Sequence, residues 1–171
     1  MRDGRYLIGW GMAAASYPMY YSPASAVARL LPDATAEVAS ASSDMGPGTW
    51  TSMTQVAAET LGLSVERVKF TLGDTRLPRA SVHGGAMTMA SVGCAVQAAC
   101  RKARADALER SGTDNLLDAM RSLKQPVEAS ADVRPGDQAQ RFSMYSFGAV
   151  FAEVAVDPET GEVQLRRLTT A

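Results

Sequence analysis

Residues 88–110, TMASVGCAVQAACRKARADALER, constrain the fold more than any other stretch. Their helical period puts Val92, Ala95, Ala99 and Ala103 on one face, and the charges gather in the distal half. A helix whose buried stripe is nearly all alanine brings its backbone close to whatever it covers, and a β-sheet is flat enough to accept that approach. Ser111-Gly112 ends the helix. The expected class is therefore α+β, a two-layer arrangement of helices packed on a mixed β-sheet. With 171 residues, 46% of them hydrophobic, the chain can form one compact domain or two small ones sharing an interface. We read 1–171 as a single domain.

The strands of that sheet are sought in the flanking segments. Tyr6 to Ala15 is apolar and rich in small residues, and reads as a first strand. Ala24–Leu31 and Thr35–Ala41 bracket the turn signal Pro32-Asp33-Ala34, which predicts a hairpin. Met53, Val56, Ala57, Thr60 and Leu61 recur at helical spacing, with Gly62 where a left-handed C-terminal residue is expected. Val68, Phe70 and Leu72 alternate with Lys69 and Thr71 as a half-buried strand. Residues 73–85 lack a useful period and predict irregular structure. A second short helix is expected over 114–123, then a polar strand fragment and surface loop to Gln140. Ser146–Val156, the turn Asp157-Pro158-Glu159-Thr160-Gly161 and Glu162–Leu168 predict a C-terminal β-hairpin with Gly161 at positive φ.

Seventeen basic residues against eighteen acidic ones leave a formal charge of −1, which argues against a nucleic-acid partner. No apolar run approaches the ~20 residues of a membrane span, and Met1-Arg2-Asp3-Gly4 leads into no signal-peptide core. A cytoplasmic protein is expected, with a periplasmic location for a larger enzyme left open. Cys94 and Cys100 lie ~9 Å apart along one helix and cannot bridge each other. One histidine and no CxxC give no support to a metal site made by this chain alone.

Two segments carry the functional question. In DMGPGTWTSMTQ, residues 44–55, Gly46 and Gly48 clear side chains from the mouth of a helix, and Ser52 with Gln55 fits a capping box. In HGGAMTMAS, residues 83–91, Gly84, Gly85 and the amides of Ala86 and Met87 open the alanine-rich helix, with Thr88 and Ser91 as hydroxyl donors. Each is a turn and a helix cap in the plain reading. Together they suggest one anionic ligand held between two helix starts. Asp44, Glu59, Asp74 and His83 are nearby titratable groups, but no nucleophile arrangement accompanies them, and His83 has no evident orienting partner.

The order DMGPGTWTSMTQVAAETLGL, VKFTLGDTRLP, GGAMTMASVGCAVQAA and YSFGAVFAEVAVDPETGEVQLRR resembles the molybdopterin-binding large subunit of the xanthine dehydrogenase and aldehyde oxidase family, and DGRYLIGWGMAAASYP is similar to its segment just upstream. The resemblance covers nearly the whole chain, as a fragment of the molybdenum-cofactor domain of a longer subunit. It implies hydroxylation of an aldehyde or N-heterocycle with oxygen from water, by a molybdenum–molybdopterin cofactor whose tail is a phosphate or a dinucleotide. Iron–sulfur clusters and FAD would lie in other domains or subunits. By matching position, Gly46, Pro47 and Gly48 form a first cofactor loop, and Gly85, Ala86 and Thr88 a second. Many members carry glutamine where this chain has Pro47, and serine where it has Ala86. The family's catalytic glutamate is expected beyond Ala171, so no catalytic residue is assigned and the isolated chain is expected to be inactive. Implied partners are the remainder of the large subunit, the iron–sulfur and flavin components, a small-molecule substrate and a second copy of the chain. The reading from another class is a non-enzymatic binding or assembly module whose glycine loops are structural.

Overall fold

Alternation along Ala24–Leu30 sets the floor of the main layer: Ala24, Ala26, Ala28 and Leu30 point inward and are buried. In the computed structural model, which describes residues 1–171 apart from the side chain of Ala139, this strand (β3) lies inside a four-stranded sheet. Two strands precede it, the short β1 (Arg2–Asp3) and the long β2 (Tyr6–Pro18). The other members of its sheet are β4 (Ala36–Ala39), β5 (Val68–Thr71) and β6 (Val127–Val133), in the order β5-β4-β3-β6. β3 pairs antiparallel with β4 and β6, whereas β4 and β5 are parallel, so the sheet is mixed.

The parallel pair requires a crossover, and helix α1 (Thr49–Leu61) supplies it. Gly62 ends α1 at φ 71°, its amide bonded to the carbonyls of Ala58 and Glu59. A 3₁₀ turn at Val65–Arg67 then leads into β5. Helix α2 (Met87–Ser111) lies on β3 and β6 with Val92, Ala95, Val96, Ala99, Cys100 and Ala103 fully buried, and α1 packs beside it through Met53. Gly93 of α2 faces Met53 of α1; a Cβ there would stand 3.9 Å from the Met53 methyl. Helix α3 (Leu116–Ser122) is capped by Asn115, whose side chain accepts the amides of Leu117 and Asp118. A single turn, α4 (Gln138–Arg141), follows β6. The alanine stripe thus finds the small-residue floor that its sequence demands. Burial pushes the Cys100 thiol up to about 12, while Cys94 is exposed and both cysteines are free.

The β5-β4-β3-β6 sheet and the helices belong to one compact unit, Met19–Met144. The second unit, Met1–Pro18 with Tyr145–Ala171, is a four-stranded antiparallel sheet in the order β1-β2-β7-β8, built from β7 (Tyr145–Val156) and β8 (Val163–Thr170). β2 pairs with β7 from Leu7↔Val156 to Pro18↔Tyr145. The β7–β8 hairpin turns at Asp157–Gly161, with Gly161 at φ 74° and its amide on the Asp157 carbonyl. The buried Asp157 carboxylate accepts the Glu159 amide through Oδ1 and forms an ion pair with Arg5 Nη2 through Oδ2 at 2.5 Å. Trp10, Met12, Phe147 and Phe151 are exposed on one face of this sheet; Leu7, Leu165 and Leu168 are exposed on the other.

The N-terminal strand therefore does not join the sheet of the first predicted hairpin. It pairs instead with a segment more than 120 residues away. Among the described residues no helix is long and apolar enough to cross a membrane.

Candidate functional site

Parallel pairing brings the two glycine segments together. β4 and β5 run side by side in the same direction, so the loop leaving β4 toward α1 and the loop leaving β5 toward α2 emerge at the same end of the sheet. The carboxyl ends of parallel strands are where open α/β sheets hold ligands. Backbone bonds tie the loops to each other: Ser40 N to Thr71 O at 3.2 Å, Ala41 N to Pro78 O at 2.7 Å and Gly73 N to Ser42 O at 2.9 Å. His83 adds a fourth tie, its Nδ1 lying 2.7 Å from the Ser43 carbonyl. That contact fixes Nδ1 as the protonated nitrogen and gives His83 an orienting partner, which sequence reasoning could not find across 40 residues.

In the first loop, Gly46 takes φ 121° and Gly48 φ 83°, both in the left-handed half of backbone space, and the exposed Pro47 sits between them. A Cβ on Gly46 or Gly48 would meet nothing within 4 Å. The glycines are therefore required by backbone conformation rather than by crowding. Gly48 is the N-cap of α1 and offers no side chain to cap it. The expected capping box does not form: Ser52 lies inside the helix, with its Oγ donating to the Thr49 carbonyl at 3.3 Å. Asp44 does that work from four residues upstream, its Oδ1 accepting the Gly46 amide at 2.8 Å and the Gly48 amide at 3.3 Å. The pattern Asp-x-Gly is a recognisable Asx-turn signal, so this role was within reach of the sequence.

Those bonds hold the Asp44 carboxyl below the ordinary carboxylate range. The Gly46 amide is the main cause, opposed by partial desolvation and helped by the amides of Gly48, Trp50 and Thr49. A depressed folded-state pKa contributes stability that is fully present above the unfolded value of about 3.9 and is lost as pH falls through the folded value. Wild type is therefore expected to be more stable than Asp44→Asn near pH 6, with the difference shrinking as pH falls below the unfolded value. Urea midpoints measured from pH 6 into the acid range check this; an Asp44→Asn midpoint equal to that of wild type at pH 6 would refute it.

In the second loop, Gly85 has φ 59°, and a Cβ there would stand 2.8 Å from Tyr20 Cδ2. The Tyr20 amide in turn donates to the Gly85 carbonyl at 3.3 Å. Ala86, the N-cap of α2, holds φ 50°, a left-handed conformation that a non-glycine residue adopts at a cost. The buried Ser91 Oγ accepts the Ser22 amide at 3.0 Å. The segment 20–22 is thereby strapped to the start of α2. Burial raises the pKa of the Tyr21 hydroxyl, and its contact with Cys94 raises it further. Thr88 is half-buried and makes no side-chain hydrogen bond among the described residues.

The unused polar groups of these loops fit a polar ligand. No side chain caps α2, so its first amides lack a side-chain acceptor. The buried Ser42 Oγ in the first loop and the Ser81 Oγ in the second have no hydrogen-bond partner among the described residues. Unpaired buried hydroxyls are costly in an isolated domain, and a bound group would relieve them. Among the described residues no cluster of histidine, cysteine or carboxylate side chains is built to ligate a metal directly.

The family model of the molybdopterin cofactor-binding domain matches residues 1–171, the full length of the chain. The chain belongs to this family. It is 29% identical over 184 residues to the aldehyde oxidoreductase molybdenum-binding subunit PaoC of Escherichia coli O157:H7, covering 98% of this chain and 25% of that protein. The match to PaoC of Escherichia coli K12 has the same identity and coverage. The chain thus spans about a quarter of the length of these curated relatives. Among solved structures, the reconstituted CO dehydrogenase from Oligotropha carboxidovorans superposes with a TM-score of 0.66 at 19% identity, over 97% of this chain and 26% of the other. The aldehyde oxidoreductase from Desulfovibrio gigas gives 0.61 at 24% identity, over 98% and 20%. These likenesses establish the fold of the cofactor-binding domain.

Proposed function

We propose that this chain holds part of a molybdopterin cofactor at the shared carboxyl end of β4 and β5, as a portion of a larger molybdenum hydroxylase. The observation that carries the reading is the tying together of two glycine-led helix starts on adjacent parallel strands, in a chain of the cofactor-binding family. When bound, the cofactor would supply the redox chemistry for hydroxylating an aldehyde or N-heterocycle with oxygen from water.

The chain's own residues bind and orient. Gly46 and Gly48 leave the backbone of the first loop open to close approach, and Pro47 stiffens it. Gly85, Ala86 and Thr88 offer the second loop's backbone and one hydroxyl. With proline in place of the glutamine common in relatives, the first loop contributes no amide side chain, so more of the grip falls on the second. A phosphate or a dinucleotide tail is compatible with this division. The two compact units would form a single cofactor domain with the remainder of a large subunit, which would work with iron–sulfur and flavin components on a small-molecule substrate in the cytoplasm or periplasm.

Purified chain is expected to carry pterin fluorescence and molybdenum, and to give no sustained oxidation of an aldehyde or purine with a dye acceptor. Absence of both pterin and metal, with no ligand density between Gly48 and Gly85, would remove the binding role. Metal-dependent turnover would overturn the predicted inactivity.

The exposed sheet β1-β2-β7-β8 favours a second reading, an assembly role. Trp10 and Phe147 are 76% and 82% exposed, and apolar area of this kind marks an interaction surface. The chain is accordingly expected to form dimers at high concentration. A strictly monomeric sedimentation profile across a hundredfold concentration range would count against association.

A further inference from the structure

The two edges of the β1-β2-β7-β8 sheet are guarded differently. β8 is interrupted by a bulge opposite Glu153/Val154 and carries Arg166 and Arg167, two devices that keep an exposed edge from pairing. The edge of β2 has neither. β1 covers only its beginning: Arg2 pairs with Leu7, Asp3 with Tyr6, and Met1 exchanges both backbone bonds with Ile8, at 2.8 and 3.2 Å. Beyond Ile8, residues 9–17 read GWGMAAASY, without a charge or a proline, in unbroken register on β7 and with every residue exposed. The Met1 bonds fix which groups face outward. In an antiparallel ladder, residues bonded on one side alternate with those bonded on the other, so Trp10, Met12, Ala14 and Ser16 share the outward direction of Ile8. Their N–H and C=O groups have no backbone partner among the described residues.

We propose that β2 docks edge to edge on β2 of a second copy of this chain, antiparallel about a two-fold axis at Ala13, so that the two sheets become one. The inference deepens the assembly reading and rests on it, while the cofactor reading stands or falls separately. Only this register engages all four outward residues: Trp10 bonds with the second copy's Ser16 and Met12 with its Ala14, each pair repeated by the two-fold. A register centred on Met12 would set Ser16 against Ile8, which Met1 already occupies. One centred on Ala14 would set Trp10 against Pro18, which has no N–H to give. The register at Ala13 also places the two large side chains, Trp10 and Met12, opposite the small Ser16 and Ala14, and it brings no charges together. The segment is thus complementary to itself in both backbone and side chains.

The test follows the full 171-residue chain by sedimentation and by amide hydrogen exchange at low and high concentration. Wild type is expected to dimerise, with the amides of Trp10, Met12, Ala14 and Ser16 exchanging about tenfold or more slowly in the dimer than in the monomer. Ala13 is exposed and meets its own copy on the axis, so Ala13→Lys and Ala13→Glu each set like charges opposite each other and are expected to weaken dimerisation about tenfold or more. Mixed in equal amounts, the two variants are expected to recover wild-type affinity, because Lys then faces Glu. Ala14→Pro removes one outward N–H without touching the bonds to β7, and is expected to leave a folded monomer. A wild type that stays monomeric overturns the proposal and the assembly reading together. A dimer whose four amides exchange as fast as in the monomer, or a mixture that does not recover, overturns edge pairing alone and leaves association through the apolar face of the sheet. Slow exchange of these amides already in the monomer also overturns it, since another segment of the same chain would then cover the edge.

Discussion

Replacing Ala99 by leucine is expected to cost the chain about 3 kcal/mol or more, lowering the thermal midpoint by about 10 °C. Ala99 is fully buried on the α2 stripe that lies over β3 and β6, and the sheet beneath it is itself lined by the fully buried Ala26 and Ala28. Small residues on both sides leave no room for three added carbon atoms, so either α2 must lift from the sheet or neighbouring side chains must leave their rotamers. Lifting α2 has a further consequence, because its first turn forms the second loop of the site and Ser91 holds the 20–22 segment through the Ser22 amide. Lys102, on the exposed side of the same helix, supplies the control: Lys102→Leu is expected to change stability by no more than about 0.5 kcal/mol. Urea unfolding of both variants decides the matter, and an Ala99→Leu midpoint equal to that of wild type would mean that the close approach of helix and sheet is not a determinant of stability.

The same stripe explains what could be read from the sequence. Helical period, small-residue content and the glycines at Gly62, Gly112 and Gly161 are local signals, and the structure follows each of them: all three glycines take φ near 70° at the ends of their elements. Mixed pairing was also legible in outline, because a short helix between two short strands fits a parallel crossover. The partners of β2 were not legible. Its register with β7 depends on contacts across more than 120 residues, and an apolar segment of glycine and alanine carries little to specify a partner. The candidate site divides in the same way. The positive φ of Gly46, Gly48 and Gly85 follows from their sequence setting, whereas the bond from His83 to Ser43 exists only because β4 and β5 are neighbours. The capping box at Ser52 and Gln55 failed because the helix starts one turn earlier, at Thr49, where Gly48 and Asp44 already settle the first amides.

Gly85→Ala is expected to weaken both the fold and the grip on cofactor, more than the same change at Gly48. At Gly48 the substitution carries only the cost of a left-handed alanine, about 1 kcal/mol, since a Cβ there meets nothing within 4 Å. At Gly85 the backbone cost is similar, but the Cβ would also stand 2.8 Å from Tyr20 Cδ2 and 3.4 Å from Cε2. Those atoms belong to the ring of Tyr20, whose backbone amide is bonded to the Gly85 carbonyl, so the ring must turn about its side-chain torsions to clear the added carbon. A loss of about 2–3 kcal/mol in total is expected, with pterin content below about a tenth of wild type because Ala86 and Thr88 follow directly on the displaced residue. Two contributions can be separated by a double-mutant cycle. In a Tyr20→Ala background the ring is gone, and Gly85→Ala should cost only the backbone term, close to its value at Gly48. If the cost is unchanged without the ring, the contact with Tyr20 is not what makes this position a glycine. If stability falls as expected while pterin content holds, the second loop is a structural turn, and cofactor binding must be sought elsewhere.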